Sequence, residues 1–104
     1  MTFLVERLAD LRKHLEHLKR IRPRIQSGRA LEQDLTLHND VLFSLLRVVQ
    51  ALVDIAGELA SRRGLPFSDY TEAVRSLRES AGLEPVLVEQ LARLPGFRDV
   101  LIHE

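Results

Sequence analysis

The stretch Val41-Leu42-Phe43-Ser44-Leu45-Leu46-Arg47-Val48-Val49-Gln50-Ala51-Leu52-Val53-Asp54-Ile55-Ala56-Gly57-Glu58-Leu59 decides the fold. At about 100° per residue, Val41, Leu42, Leu45, Val48, Val49, Leu52, Val53, Ile55, Ala56 and Leu59 cover nearly half of a helix circumference. Asp40, Ser44, Arg47, Asp54 and Glu58 hold the opposite side. An arc that wide is more than one neighbouring helix covers. It marks a central helix that touches its own core and something further, such as a second subunit. The helix is predicted to begin at about Leu31 or Asp34 and to end near Arg62, stopped by Gly64-Leu65-Pro66.

The flanking segments repeat the helical period. Leu4, Leu8, Leu11, Leu15 and Leu18 recur at alternating steps of four and three, the stripe of an amphipathic helix facing a partner. Pro23 ends that helix near Ile21 or Arg22, and residues 23–30 read as a turn. After the central helix, Ser68-Asp69-Tyr70-Thr71-Glu72 is a helix start, with Asp69 and Glu72 at capping-box spacing. Tyr70, Ala73, Val74 and Leu77 share one side of the third helix, which closes at Gly82. A fourth helix opens at Glu84-Pro85 and carries Val86, Leu87, Leu91 and Leu94. Pro95-Gly96 is expected to interrupt it, with helix resuming from Phe97. No strand alternation stands out. The prediction is an all-α, antiparallel bundle of four to five helices, one domain over residues 1–104.

Composition narrows the chemistry. Fifteen Lys and Arg balance fifteen Asp and Glu, so no global field draws the chain to polyanions. With no cysteine there are no disulfides, thiol nucleophiles or cysteine-held zinc. No apolar run is long enough to span a bilayer, and the first residues lack the order of a secretory signal. A cytoplasmic protein without a membrane partner is therefore expected. At 5% aromatic residues and no tryptophan, the chain is not a single-strand reader built on a row of stacking platforms. The charge is nonetheless uneven. From Arg12 to Arg29 there are seven bases against the lone acid Glu16. One reading is a solvated helix end that complements the helix dipole. The other is a phosphate-contacting surface formed by Arg12, Lys13, Lys19, Arg20, Arg22 and Arg24.

Histidines are the remaining candidates for chemistry. His14 and His17 sit three apart on the first helix, but no further carboxylate ligands accompany them, so they read as surface residues. His38 falls on the apolar side of the central helix and reads as a partly buried, hydrogen-bonded structural residue. His103 has different company in Gly96-Phe97-Arg98-Asp99-Val100-Leu101-Ile102-His103-Glu104. Arg98 precedes it by five residues, which is about 140° of rotation, so the two side chains diverge on one helix. A second copy of the helix alongside would complete a groove between them. Asp99 stands four residues before His103, the spacing at which a carboxylate can orient an imidazole.

This segment resembles the Arg-x4-His signature of the HEPN superfamily, and in particular its HepT-like branch, the toxin half of HepT–MntA toxin–antitoxin pairs. The apolar Val53-Asp54-Ile55-Ala56, Gly64-Leu65-Pro66 and Ser68-Asp69-Tyr70 agree with it, so the resemblance runs over most of the chain. It implies an all-α homodimer whose two motifs face each other across the interface. It also implies metal-independent endoribonuclease activity without a cofactor, with Arg98 and His103 as catalytic residues and Asp99 supporting. The implied partners are RNA and a neutralising nucleotidyltransferase-fold, MntA-like antitoxin. The alternative is a catalytically silent HEPN module that binds such a partner or a nucleotide. The family motif usually continues as His-x-Tyr, whereas this sequence ends at Glu104. Silencing by nucleotidylation of that tyrosine, and the further C-terminal helix of relatives, are therefore not carried over.

Overall fold

The central helix forms because its N-terminus is capped and its apolar arc has partners. In a computed structural model, which describes residues 2–103, α3 runs from Leu35 to Arg62. The Asp34 carboxylate accepts from the Leu37 N–H at 3.0 Å, satisfying one of the donors that a helix start leaves open. At the other end Gly64 takes φ 68°, a left-handed conformation that glycine adopts without a Cβ penalty. There the Leu65 N–H reaches the Ala60 carbonyl at 2.9 Å and the Gly64 N–H reaches Ser61 at 3.1 Å, the paired bonds of a Schellman stop. Twenty-eight residues at about 1.5 Å each give α3 a length of about 42 Å, nearly the 47 Å long axis of the molecule.

The other helices are arranged around this axis. Helix α1, Thr2–Ile21, lies antiparallel to α3, with His17 beside Asp40 at one end and Arg7 near Asp54 at the other. A short 3₁₀ turn, Arg22–Arg24, and a short helix α2, Gly28–Gln33, fill the segment expected to be a turn. Asp34 then breaks the chain between α2 and α3, so the second of the two expected starts is the right one. Beyond α3 come α4, Tyr70–Arg75, α5, Leu77–Ser80, and α6, Pro85–Leu91. The Asp69 carboxylate caps α4 by accepting from the Glu72 N–H at 2.8 Å. The Glu72 carboxylate reaches back to the Ser68 N–H at 2.8 Å. The expected third helix is two pieces, because the Ser76 hydroxyl donates to the Ala73 carbonyl at 2.6 Å and competes with the backbone ladder.

Helix α7, Leu94–His103, runs back along α3. Here the expected break falls three residues early. The turn lies at Ala92–Arg93, and Pro95 is buried in the first turn of α7. Proline is tolerated there, where its missing N–H is not needed. All regular elements among the described residues are helical.

The closed core lies on one side of α3. Val49, Leu52, Val53 and Ala56 pack there against Ala73, Val74, Leu77, Val88 and Ala92. The other side of the apolar arc is open. Leu8 and Leu15 of α1 remain 52% and 39% exposed, and with Val48, Leu52, Ile55 and Leu59 they line an apolar groove of about 480 Å³. The width of the arc read from the sequence is thus accounted for only in part by the packing within the chain. No helix among the described residues is long and apolar enough to cross a membrane.

Candidate active site

The polar side of α3 is a paired seam, not a solvated face. Ser44 is buried at 1%, against the expectation from its helical position, because α1 crosses over it. Asp40, Arg47, Gln50 and Asp54 follow one another along this side, and each has a partner from another helix or from α3 itself. Asp40 takes the His17 Nε2 at 2.8 Å. Arg47 donates to Asp10 at 3.2 Å, and Asp10 also holds Arg7 at 3.0 Å. Arg7 in turn approaches Asp54 at 3.9 Å.

Arg98 enters this seam from α7. Its Nη1 donates to the Gln50 Oε1 at 2.6 Å, while the Gln50 amide nitrogen donates to Asp54 Oδ1 at 2.8 Å. Gln50 is thereby fixed at both ends, with its oxygen aimed at the guanidinium. The guanidinium carbon lies 5.4 Å from the centre of the Tyr70 ring, within the range of a cation–π contact. The Arg98 side chain is 20% exposed, and its Nε is buried without an acceptor among the described residues. Arg98 Nη2 is 3.8 Å from Asp99, a distance for charge attraction and not for a hydrogen bond. The fork is therefore held and charged, yet not saturated.

His103 points elsewhere. Leu94 and Leu101 turn inward, Leu101 lining a cavity with Val41, Leu42 and Leu45 of α3. His103 lies on the exposed outer side, together with Val100 at 57% and Ile102 at 53% exposure. Within the chain Arg98 and His103 do not converge, as the 140° rotation required. Asp99 is exposed, and its contact among the described residues is to Arg98, with no hydrogen bond to His103. Glu104 lies outside the described residues.

The remaining histidines separate. His38 is exposed and its Nδ1 lies 3.3 Å from the Asn39 side chain, so it is not a buried structural residue. Leu37 takes the inward position instead. His14 packs edge-on against Phe43, ring centres 5.8 Å apart at 75°. Partial burial, followed by the Arg47 and Lys13 charges, holds the His14 imidazole below its ordinary 6.5, with Asp10 opposing. This favours the neutral ring at neutral pH. No group of three or more potential metal ligands forms among the described residues.

The basic stretch is divided by helical phase. Arg12 and Lys19 lie along one side of α1, where Arg12 faces Glu16 at 3.6 Å. Lys13 and Arg20 lie on another, beside His14, His17 and Phe43. Arg22 and Arg24 are exposed on the 3₁₀ turn, and Arg24 faces Asp34 at 3.5 Å. The side chains that sequence reasoning missed are Gln50, Tyr70 and Phe43. Only Phe43 carried a signal in the sequence, an aromatic ring on the polar side of an amphipathic helix.

The chain is 24% identical over 103 residues to the mRNA nuclease HepT of Shewanella oneidensis, covering 97% of this chain and 74% of that protein. No solved structure is significantly similar to it. Residues 11–104 match the family described as Ribonuclease HepT-like. A match of that extent, with the Arg98 and His103 positions inside it, shows that the chain belongs to the HepT-like ribonuclease family.

Proposed function

We propose that this protein is a metal-independent endoribonuclease, the toxin of a HepT–MntA type pair, and that it acts as a homodimer. The observation that carries this reading is the split geometry of α7. Arg98 is fixed inward on Gln50 while His103 stands outward among exposed apolar residues. An apolar surface around a solvent-facing imidazole is what a second copy would cover. Two such helices side by side bring the guanidinium of one chain toward the imidazole of the other.

The chemistry follows from the groups. RNA carries its own nucleophile. A base removes the 2′-OH proton, the 2′-oxygen attacks the adjacent phosphorus, and the P–O5′ bond breaks as an acid protonates the departing oxygen. Histidine serves either role near neutral pH, and the His103 of one chain supplies it at the Arg98 of the other, with water completing the proton transfers. Arg98, always charged and forked, holds the phosphate and the charge that builds on it in the transition state. Gln50 and Tyr70 keep the fork in place, and Asp99 supports the local field. A nucleotidyltransferase-fold antitoxin is the proposed neutralising partner, consistent with the family.

The test is direct. The purified protein should cut single-stranded RNA in EDTA and leave the all-deoxy oligonucleotide of the same sequence intact, since that lacks the 2′-OH. Cleavage that requires an added divalent ion, or that treats both oligonucleotides alike, would contradict the mechanism.

A further inference from the structure

The seam that holds Arg98 continues toward the N-terminus of α3 and ends at a feature the proposed mechanism does not use. Phe43 is 58% exposed on the polar side of the helix. It is seven residues before Gln50, two turns and about 10 Å along the same side. Its ring and that of His14 meet edge to face. Around them is a shallow cavity of about 210 Å³ whose other lining residues are Lys13, His17, Arg20, Asp40 and Ser44.

The charges here are not equally engaged. Asp40 is held by His17, and Asp10 by Arg7 and Arg47. Lys13 and Arg20 have no carboxylate partner among the described residues. The cavity thus offers an aromatic face and two unspent cations, with no second apolar side chain beside Phe43. An apolar residue of a protein partner would find only one ring to bury against. A nucleobase, which has a stacking face, polar edges and an adjoining phosphate, finds a partner for each.

We propose that the His14–Phe43 ring pair, rimmed by Lys13 and Arg20, is a subsite that takes one nucleobase of the RNA and its flanking phosphate. The inference rests on the ribonuclease reading above. A strand held at Arg98 passes Arg47 and comes to Phe43 one or two nucleotides away from the bond that is cut. The aromatic content excludes a long stacking platform, but a single ring pair suffices to anchor one base. The neutral His14 ring completes the shelf without adding charge that the lysine and arginine already supply.

The chain has no tryptophan, so Phe43→Trp places a lone indole on the shelf. In a His103→Ala background, which slows turnover below the time of a titration, a labelled single-stranded RNA is titrated while its anisotropy and the indole emission are both followed. The two signals are expected to saturate together, with the emission quenched by the stacked base. Phe43→Ala should weaken binding about tenfold. Lys13→Gln should lower the slope of log affinity against log salt by about 0.7, the effect of one lost phosphate contact on a single strand. Anisotropy that rises while the emission stays constant overturns the subsite and leaves the nuclease reading standing. Emission that changes with protein concentration alone makes the shelf an interface between copies and also overturns it. No anisotropy change with any RNA sinks the subsite and the nuclease reading together.

Discussion

His103→Ala is expected to slow RNA cleavage by about 10²–10⁴-fold, the usual loss when a positioned acid–base group is removed. Arg98→Ala should cost about 10²–10³-fold, comparable with the loss of one donor to a developing oxyanion. The two variants fail for different reasons, and the structure separates them. The His103 side chain is exposed and makes no hydrogen bond among the described residues, so its removal leaves the fold untouched. Arg98 is bonded to Gln50 and lies over Tyr70, so Arg98→Lys is the informative companion. It keeps the charge and loses the fork, and it should remain well below the native rate. Gln50→Leu should give a smaller loss than Arg98→Ala, because it frees the guanidinium without deleting it. Single-turnover rates with a defined RNA and far-ultraviolet circular dichroism of each variant check the series. Native rates in His103→Ala would remove the imidazole from the mechanism.

The second large effect concerns stability. Leu77→Ala should destabilise the fold by about 2–5 kcal/mol, the range for truncating a buried leucine. Leu77 is 3% exposed and packs with Val74, Val88 and Ala92 against the central helix. These residues come from three short helices, α4, α5 and α6 with its C-terminal cap, none of which is stable alone, so the core they share is what docks them onto α3. A chain of 104 residues has a total stability of about 5–15 kcal/mol, so the variant loses a large share of it. At about 4–8 °C per kcal/mol, a fall in melting temperature of about 10 °C or more follows. Calorimetry measures it. An unchanged melting temperature would mean that this cluster is not the core. By contrast, Val86→Ala, at a site 70% exposed, should be nearly silent.

What the sequence disclosed was local. Asp34, Asp69, Gly64 and Gly82 are helix boundaries by their own chemistry, and each stands at a helix boundary. The leucine stripe of α1 and the wide arc of α3 follow from periodicity alone. Pro95 was misread because its effect depends on where a helix begins. Two residues further into α7 it would have broken the ladder, but in the first turn it fits. The division of the basic stretch was available in principle, since Lys13 and Arg20 share one phase while Arg12 and Lys19 share another. Position in the linear sequence concealed it.

Contacts between distant segments were not legible. Gln50 is an ordinary polar residue until α7 places Arg98 48 positions away against it. Tyr70 was expected on the apolar side of its helix, yet it is 49% exposed beneath a guanidinium. Ser44 is buried because α1, not solvent, covers the polar side of α3, and His38 is exposed because Leu37 takes the inward position beside it. In each case tertiary approach overrode helical phase. The Arg98–His103 pair was found by its resemblance to a family motif. Its divergence on one helix was read from geometry, and the structure retains that divergence.

The central claim is that a guanidinium from one protomer and an imidazole from the other act on one RNA phosphate. Mixed dimers test it most directly. Arg98→Ala and His103→Ala chains are co-expressed under different tags, and the species carrying both tags is isolated. That species keeps one intact arginine and one intact histidine, on different chains. The account predicts that it cuts RNA well above either parent homodimer. A mixed dimer as inactive as its parents, alongside a native dimer that cuts, would show that each site is built within a single chain.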